Sequence, residues 1–214
     1  MLKKNRKQIT ASILVVLLPI LAGLFLWRYL PEQMPIHWNA AGEVDNWSGR
    51  GFAVFGLPGI ILAAHLVCVL VTAADPKHSN ISGKILALVY WICPAVSVIT
   101  SGMMYSTALG AKIRMDVWPL VLAGILFVVM GNWLPKCRPN YTVGIRLPWT
   151  IHSESNWMKT HRMAGPVWIA GGFITMIAAF LGRYNWAIFI FVVAALVVVP
   201  AVYSFLLYRK TECV

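Results

Sequence analysis

Long apolar segments alternate with short polar ones along this chain, and the alternation predicts most of its architecture. A scan for stretches near the length that spans a bilayer yields six segments: 9–30, 52–74, 85–109, 117–134, 166–181 and 185–207. Such stretches cross a membrane as helices, because a helix satisfies its backbone polar groups without water. The pattern therefore predicts an all-α fold, a polytopic membrane helix bundle with six transmembrane helices.

Three prolines, Pro19, Pro94 and Pro200, lie well inside these segments. Membrane helices accept proline when neighbouring groups satisfy the freed carbonyl, so we expect bends there rather than helix ends. The composition agrees with a membrane protein: 59% of the residues are hydrophobic and 12% are charged, whereas soluble domains carry roughly 25% charged residues.

The distribution of lysine and arginine predicts the orientation. With the N-terminus in the cytoplasm, thirteen of the eighteen basic residues fall on the inner side and five on the outer side. The positive-inside rule therefore favours an orientation with both termini in the cytoplasm, N-in and C-in. The net charge of +11 comes from clusters flanking apolar segments, which indicates contacts with membrane lipid and no direct nucleic-acid binding.

On this basis the chain divides into three parts. Residues 1–51 hold the first transmembrane helix and an outer loop, residues 52–134 hold helices 2–4, and residues 135–214 hold a polar motif with helices 5 and 6. The first helix is interpreted as retained, since no small-residue cleavage site follows it. The four cysteines lack metal-ligand spacing, so we expect free thiols, no metal and no cofactor.

His65 lies inside the second apolar segment. An ionisable side chain at that depth is costly, so it indicates either a function or a hydrogen bond directed into the bundle. The hydrogen bond is the favoured interpretation.

The segment 137–165 is the longest polar interruption of the chain. Asn140 and Gly144 are typical of turns, and Pro148 keeps the residue before it out of a helix. Ser153 is a plausible N-cap with Glu154 in the first helical turn, so a helix is expected from there towards the fifth apolar segment. At helical spacing Trp157, His161, Ala164 and Trp168 share one stripe, away from Lys159 and Arg162.

Two interpretations of this segment remain open. In the first, Arg146, Glu154 and His161 form a polar cluster fixed by Trp149 and Trp157, with Glu154 as the partner of Arg146. In the second, the same residues are interfacial anchors and lipid contacts. Catalysis by a His161 and Glu154 pair is a weaker alternative, because no established catalytic motif accompanies the pair.

The outer loop, residues 31–51, combines turn formers with aromatic residues. Asn39, Gly42 and Asp45 favour turns, and Trp38 and Trp47 suit the membrane interface. We expect a structured, hydrogen-bonded cap. His37 with Glu43 and Asp45 as a metal or acid-base set is a weak alternative, since no HxH or HExxH spacing is present.

The cytoplasmic motif resembles the signature of the SdpI family of bacterial membrane immunity proteins. The resemblance rests on Asn140, Gly144, Arg146, Pro148, Trp149, Glu154, Trp157, His161 and Arg162. Leu147 departs from it, standing where threonine is expected. The outer loop resembles the N-terminal domain of unknown function that accompanies the family, through Pro35, His37, Trp38, Asn39, Gly42 and Asp45.

The resemblance implies a six-span protein of the bacterial inner (cytoplasmic) membrane. Such a protein protects its producer against, or senses, a secreted toxic peptide that attacks the membrane. In the best-known member a transcriptional repressor is also held at the membrane. A toxic peptide outside and a repressor or other cytoplasmic protein inside are therefore the partners it implies. The leading hypothesis is a non-enzymatic immunity or sensing protein; a small-molecule or ion transporter and a membrane enzyme are the alternatives.

Overall fold

The computed structural model describes residues 1–212, and the side chains of residues 1–210. The chain forms two compact units. The first comprises Met1–Ala74 and Gly83–Met115, and the second comprises Asp75–Ser82 and the chain from Asp116 onward.

The first unit is three helices and one β-hairpin. Helix α1 is Arg6–Phe25, the strands β1 and β2 are Gln33–Trp38 and Val44–Gly49, α2 is Leu57–Ala74 and α3 is Gly83–Ala108. A π-helical turn, Phe52–Gly56, leads directly into α2. All three helices pack against one another.

The second unit contains the remaining helices. They are α4 (Trp118–Trp133), α5 (Pro148–His152), α6 (Glu154–Ala178) and α7 (Asn185–Glu212). Short 3₁₀ turns occur at His78–Asn80, Leu134–Lys136 and Gly182–Tyr184. Helix α6 packs against both α4 and α7.

Every predicted apolar segment falls on a helix, and the protein is mostly helical. Within residues 1–212, five helical stretches are long and apolar enough to cross a membrane: Arg6–Phe25, Phe52–Ala74, Gly83–Ala108, Trp118–Lys136 and Gly182–Lys210. The segment predicted at 166–181 lies in α6, whose first half is polar. The structure therefore supports a multi-pass membrane protein and, among the residues it describes, does not confirm the count of six.

None of the three prolines ends its helix, as expected. Pro19 lies inside α1, Pro94 inside α3 and Pro200 inside α7, and each helix continues past its proline.

Polar side chains join the three helices of the first unit. Ser97 donates a hydrogen bond to the carbonyl of Val16 (2.9 Å), and Tyr105 donates one to the carbonyl of Pro19 (2.9 Å). His65 is fully buried, with Nε2 2.9 Å from the hydroxyl oxygen of Ser12. The hydrogen bond expected of His65 is therefore confirmed.

The strict all-α prediction is corrected by the hairpin. Strands β1 and β2 pair antiparallel within the predicted outer cap. The connecting turn is the one that its residues favour: the Asn39 side chain accepts hydrogen bonds from the N–H groups of Ala41 and Glu43, and Gly42 has φ of 81°. Short irregular strands containing a proline carry little of the alternation by which strands are recognised.

Arg50 fastens the hairpin to the end of α1. Its Nη1 donates to the carbonyls of Trp27 (2.6 Å) and Leu30 (2.9 Å), and its guanidinium lies 4.4 Å from the centroid of the Trp27 ring. Beneath the hairpin, Met34 is fully buried in an apolar cluster with Leu30. The cap is thus a folded part of the first unit.

In the second unit, glycines allow α4 and α6 to approach at backbone distance. A β-carbon built on Gly172 would lie 2.5 Å from the carbonyl oxygen of Gly124, and one on Gly131 would lie 2.8 Å from that of Gly165. Small residues at such crossings are how membrane helices gain close packing.

We predict that Gly172→Val destabilises the protein by about 1–3 kcal/mol, since α4 and α6 must separate to admit the side chain. Gly102→Val is the matched control, because a β-carbon at Gly102 meets nothing within 4 Å. Thermal unfolding in detergent measures both. Equal midpoints for the two variants would contradict the packing described.

Candidate functional site

The polar segment 137–165 is folded back on itself by its own side chains. Asn140 is 4% exposed and organises the entry. Its Oδ1 accepts from the N–H groups of Thr142 (2.9 Å) and Val143 (2.6 Å), and its Nδ2 donates to the carbonyls of Arg138 (2.8 Å) and Val143 (3.0 Å). This is the turn that the sequence predicted, with every polar atom of the side chain in use.

A buried carboxylate, Asp75, ties this turn to the segment that follows α2. Asp75 is 3% exposed. Its Oδ2 accepts from the backbone N–H of Tyr141 (2.8 Å) and the hydroxyl of Thr142 (2.8 Å), and its Oδ1 accepts from the N–H of Lys77 (2.7 Å). Burial raises the pKa of the Asp75 carboxyl, but these hydrogen bonds outweigh burial and hold the pKa below its usual value.

Sequence reasoning missed Asp75, because its loop looked like an ordinary polar connection. A signal was present. Asp75 follows directly on an apolar helix, and an acidic group at a helix C-terminus is repelled by the dipole. Such a residue needs donors from elsewhere in the chain.

His161 is the second buried anchor, and its protonation state follows from its partners. It lies in the polar first half of α6 and is fully buried. Nδ1 is 2.9 Å from the carbonyl of Trp157, which only accepts, so Nδ1 carries the proton. Nε2 is 2.9 Å from the N–H of Ile145, which only donates, so Nε2 carries the lone pair. The imidazole is therefore neutral.

Burial lowers the pKa of His161 to about 4, against the opposing effect of the hydrogen bond to Trp157. The ring also stacks on Trp157 with 4.2 Å between centroids, and Trp157 Nε1 donates to the carbonyl of Cys137 (2.9 Å). In the predicted stripe, Trp157, His161 and Ala164 are buried and Trp168 is partly buried. Lys159 and Arg162 are exposed, away from the stripe as predicted.

Gly144 is required by this contact. Its φ is +117°, a region that other residues rarely adopt. A β-carbon there would lie 2.5 Å from His161 Nε2 and 3.1 Å from the Trp157 ring. Any side chain would displace the lone pair from the N–H of Ile145.

The short helix α5 was not predicted, but the residue before Pro148 is outside the helix as expected. Leu147 is extended, with φ of −109° and ψ of 154°, and Pro148 is the first helical residue. Thr150 Oγ1 accepts from the N–H of Leu147 (2.8 Å) and lies 2.9 Å from the carbonyl of Ile145. Trp149 packs against Phe205 on α7, with 5.3 Å between ring centroids.

The predicted N-cap of α6 is confirmed. The Ser153 side chain accepts from the N–H of Asn156 (3.3 Å). One turn on, Asn156 joins a buried network that sequence reasoning missed. Its Nδ2 donates to the carbonyl of Ser204 (2.9 Å), and its Oδ1 accepts from the hydroxyls of Thr160 (3.0 Å) and Ser204 (3.0 Å), which fixes α6 to α7.

The predicted pairing of Arg146 with Glu154 is wrong. Arg146 is exposed, and its Nη1 donates to the carbonyl of Tyr141 (2.8 Å). Glu154 is also exposed, and no lysine or arginine among the described residues forms an ion pair with it. The turn brings a carbonyl within reach of the guanidinium, so the predicted charge partner is replaced by a backbone acceptor worth about 0.5–1.5 kcal/mol.

The geometry also bears on the enzyme alternative. Both nitrogens of His161 are occupied by backbone partners. A general base needs a nitrogen within reach of a substrate proton. In this conformation His161 serves the fold and has no nitrogen left for catalysis with Glu154.

On the hairpin, His37 and Asp45 face each other across the strands with 2.6 Å between Nδ1 and Oδ1. Glu43 instead accepts from the Asn39 side chain (3.2 Å). Pro35 is buried, whereas Trp47 is 54% exposed. Among the residues that the structure describes, no three His, Cys, Asp or Glu side chains are grouped as a metal site would require.

These features define a multi-pass helical membrane protein with a folded polar motif and a capping hairpin. Residues 136–204 match the SdpI/YfhL protein family, and residues 14–62 match a domain of unknown function, DUF1648. The resemblance of the motif residues to the SdpI family is thereby confirmed.

The chain is similar along its whole length to the "Immunity protein SdpI" of Bacillus subtilis (strain 168). The two are 27% identical over 215 residues, which cover 98% of each chain. No solved structure matches the chain.

Acidification offers a direct test of the neutral His161. An unfolded histidine takes up its proton near pH 6.5, whereas the folded one resists until about pH 4. Stability is therefore complete above pH 6.5 and falls as the pH drops towards 4, by about 3 kcal/mol from this residue. Asp75, with its lowered pKa, loses its contribution only at still lower pH.

The unfolding midpoint in detergent, followed from pH 7.5 to 4.5, measures this loss. His161→Gln retains an acceptor for Ile145 and does not titrate, so its profile should be flatter. Parallel profiles for the two proteins would refute the assignment of a neutral, buried imidazole. His152→Gln is the control, since His152 is exposed.

Proposed function

We propose that this chain is an immunity protein of the bacterial inner membrane that protects its producer against a membrane-active toxic peptide. The observation that carries the proposal is the similarity to the "Immunity protein SdpI", which extends over 98% of both chains and so includes the outer hairpin as well as the cytoplasmic motif.

The protein crosses the membrane six times, with α6 as the fifth span. Helix α6 has 25 residues, and its polar first half carries the cytoplasmic motif. Its second half is apolar, and it packs against two helices apolar enough to span. Its apolar side chains there are exposed on the protein surface, as lipid contacts require: Phe173, Ile174 and Ile177.

An even number of spans places both termini on the same side. The excess of basic residues then places that side in the cytoplasm. The hairpin faces outward, and the motif anchored by Asp75 and His161 faces inward.

Each face has a role in this proposal. Outside, the exposed Trp47 and the His37 and Asp45 pair lie on a hairpin tied down by Arg50, a rigid surface suited to contact a peptide. Inside, the motif presents Arg146 and Arg162 on a folded base, where a transcriptional repressor or another cytoplasmic protein is the proposed partner.

Cysteine labelling tests the orientation. Native Cys137 is a poor reporter, because it is 3% exposed and burial raises the pKa of its thiol to about 11. In a variant whose native cysteines are replaced by alanine, Ala40→Cys in the hairpin should react with an impermeant reagent added to intact cells. Lys159→Cys should react only after lysis, and the opposite pattern would overturn the orientation.

Protection is tested in cells that lack the chain, with and without its expression, against a panel of secreted membrane-active peptides. We predict improved survival against at least one peptide. Trp47→Ala should reduce that protection with the protein level unchanged, whereas Trp91→Ala, an exposed tryptophan on α3, should not. Unchanged sensitivity to every peptide would sink the immunity proposal.

A further inference from the structure

We infer that the second unit binds a phospholipid headgroup that carries both a phosphate and an ammonium, as phosphatidylethanolamine does. The site is an open cleft of about 520 Å³, here called the basic cleft, between the segment after α2 and the start of α6. Its polar lining is Lys77, Asn80, Arg138, His152 and Glu154.

Lys77 and Arg138 are the two permanently charged cations of the basic cleft, and hydrogen bonds fix the backbone at both. The N–H of Lys77 is bound by Asp75, and its ammonium lies 5.2 Å from the centroid of the Tyr141 ring. The carbonyl of Arg138 accepts from Asn140 (2.8 Å), and the carbonyl of the next residue accepts from Asn80 Nδ2 (2.7 Å). Both backbones are therefore positioned before any ligand arrives.

The cations lack a carboxylate partner, which makes them available to a phosphate. Within the described part of the chain, neither Lys77 nor Arg138 forms an ion pair. A guanidinium beside an ammonium is the combination that proteins use to bind phosphate oxygens.

Glu154 distinguishes an ammonium-bearing headgroup from a purely anionic one. Its carboxylate lines the same cleft and likewise has no lysine or arginine partner among the residues described. It would repel a second negative charge but would attract the ammonium of an ethanolamine headgroup. The arrangement of charges thus complements a zwitterion.

Apolar residues in the lining favour a lipid over free phosphate. Pro139, Ile151 and Met158 contribute to the wall beside the cations. The lining residues also come from segments next to apolar helices, where the headgroups of the inner leaflet lie in the proposed orientation. A glycerol backbone and the first methylenes can cover these residues, which a free phosphate would leave exposed.

The test is saturable binding of radiolabelled phosphatidylethanolamine to the purified full chain in detergent. Phosphatidylglycerol, glycerophosphoethanolamine, diacylglycerol and inorganic phosphate are the competitors. We expect phosphatidylethanolamine to bind more tightly than phosphatidylglycerol, and glycerophosphoethanolamine to compete where diacylglycerol does not. Competition by inorganic phosphate at the same concentration as glycerophosphoethanolamine would instead indicate a site for free phosphate and overturn the lipid assignment.

Charge variants assign the binding to this cleft. Lys77→Gln with Arg138→Gln should weaken binding about tenfold or more, whereas the charge-conserving pair Lys77→Arg with Arg138→Lys should retain it. Lys159→Gln with Arg162→Gln is the matched control, since it removes two exposed cations that do not line the cleft. Glu154→Gln should abolish the preference for ethanolamine over glycerol headgroups. Equal loss in the control, or an unchanged preference in Glu154→Gln, would contradict the inference.

Discussion

The polar segment 137–165 depends on the hydrogen bonds that the buried carboxylate of Asp75 accepts. Removing an ionised carboxylate from water costs several kcal/mol, and no cation among the described residues offsets that cost by ion pairing. Two backbone N–H groups and one hydroxyl do so instead. Since hydrogen bonds to charged groups contribute about 1.5–3 kcal/mol each, all three are needed, and the turn at 140–143 must take one conformation.

His161 extends the same logic. Its neutral ring donates a hydrogen bond to the carbonyl of Trp157 on α6 and accepts one from the N–H of Ile145 in the loop. Gly144 leaves the space that the second hydrogen bond needs. The hydrogen-bonded carboxylate of Asp75 and the neutral ring of His161 thus fix the conformation of the buried part of the motif. The charged side chains Arg146, Arg162 and Glu154 remain on its surface, where binding to lipid or protein is least costly.

The helices were predictable because the length needed to span a bilayer appears in the sequence as long apolar segments. The cap at Ser153 and the buried stripe through Trp157 and His161 were predictable for a similar reason, since both depend on residues three or four positions apart. Contacts at that spacing depend only on the geometry of the helix, which the local sequence predicts.

The remaining features depend on groups distant in sequence or on the backbone itself. Asp75 meets Tyr141 across 66 positions, and Asn156 meets Ser204 across 48, so no local pattern reveals either contact. Arg146 binds a backbone carbonyl where a charged partner was expected. The sequence identifies the side chains but does not show where a turn places its carbonyl groups. The hairpin was not predicted, because both strands are short and β1 contains Pro35.

A double-mutant cycle between Asp75 and Thr142 tests most directly whether the buried carboxylate organises the motif. The free energy of unfolding in detergent is measured for the parent chain, Asp75→Ala, Thr142→Val and the double variant. A direct hydrogen bond predicts a coupling energy of about 1–3 kcal/mol, with Thr142→Val nearly neutral once Asp75 is absent. Additive effects, within about 0.3 kcal/mol, would show that the two side chains do not interact and would contradict the account.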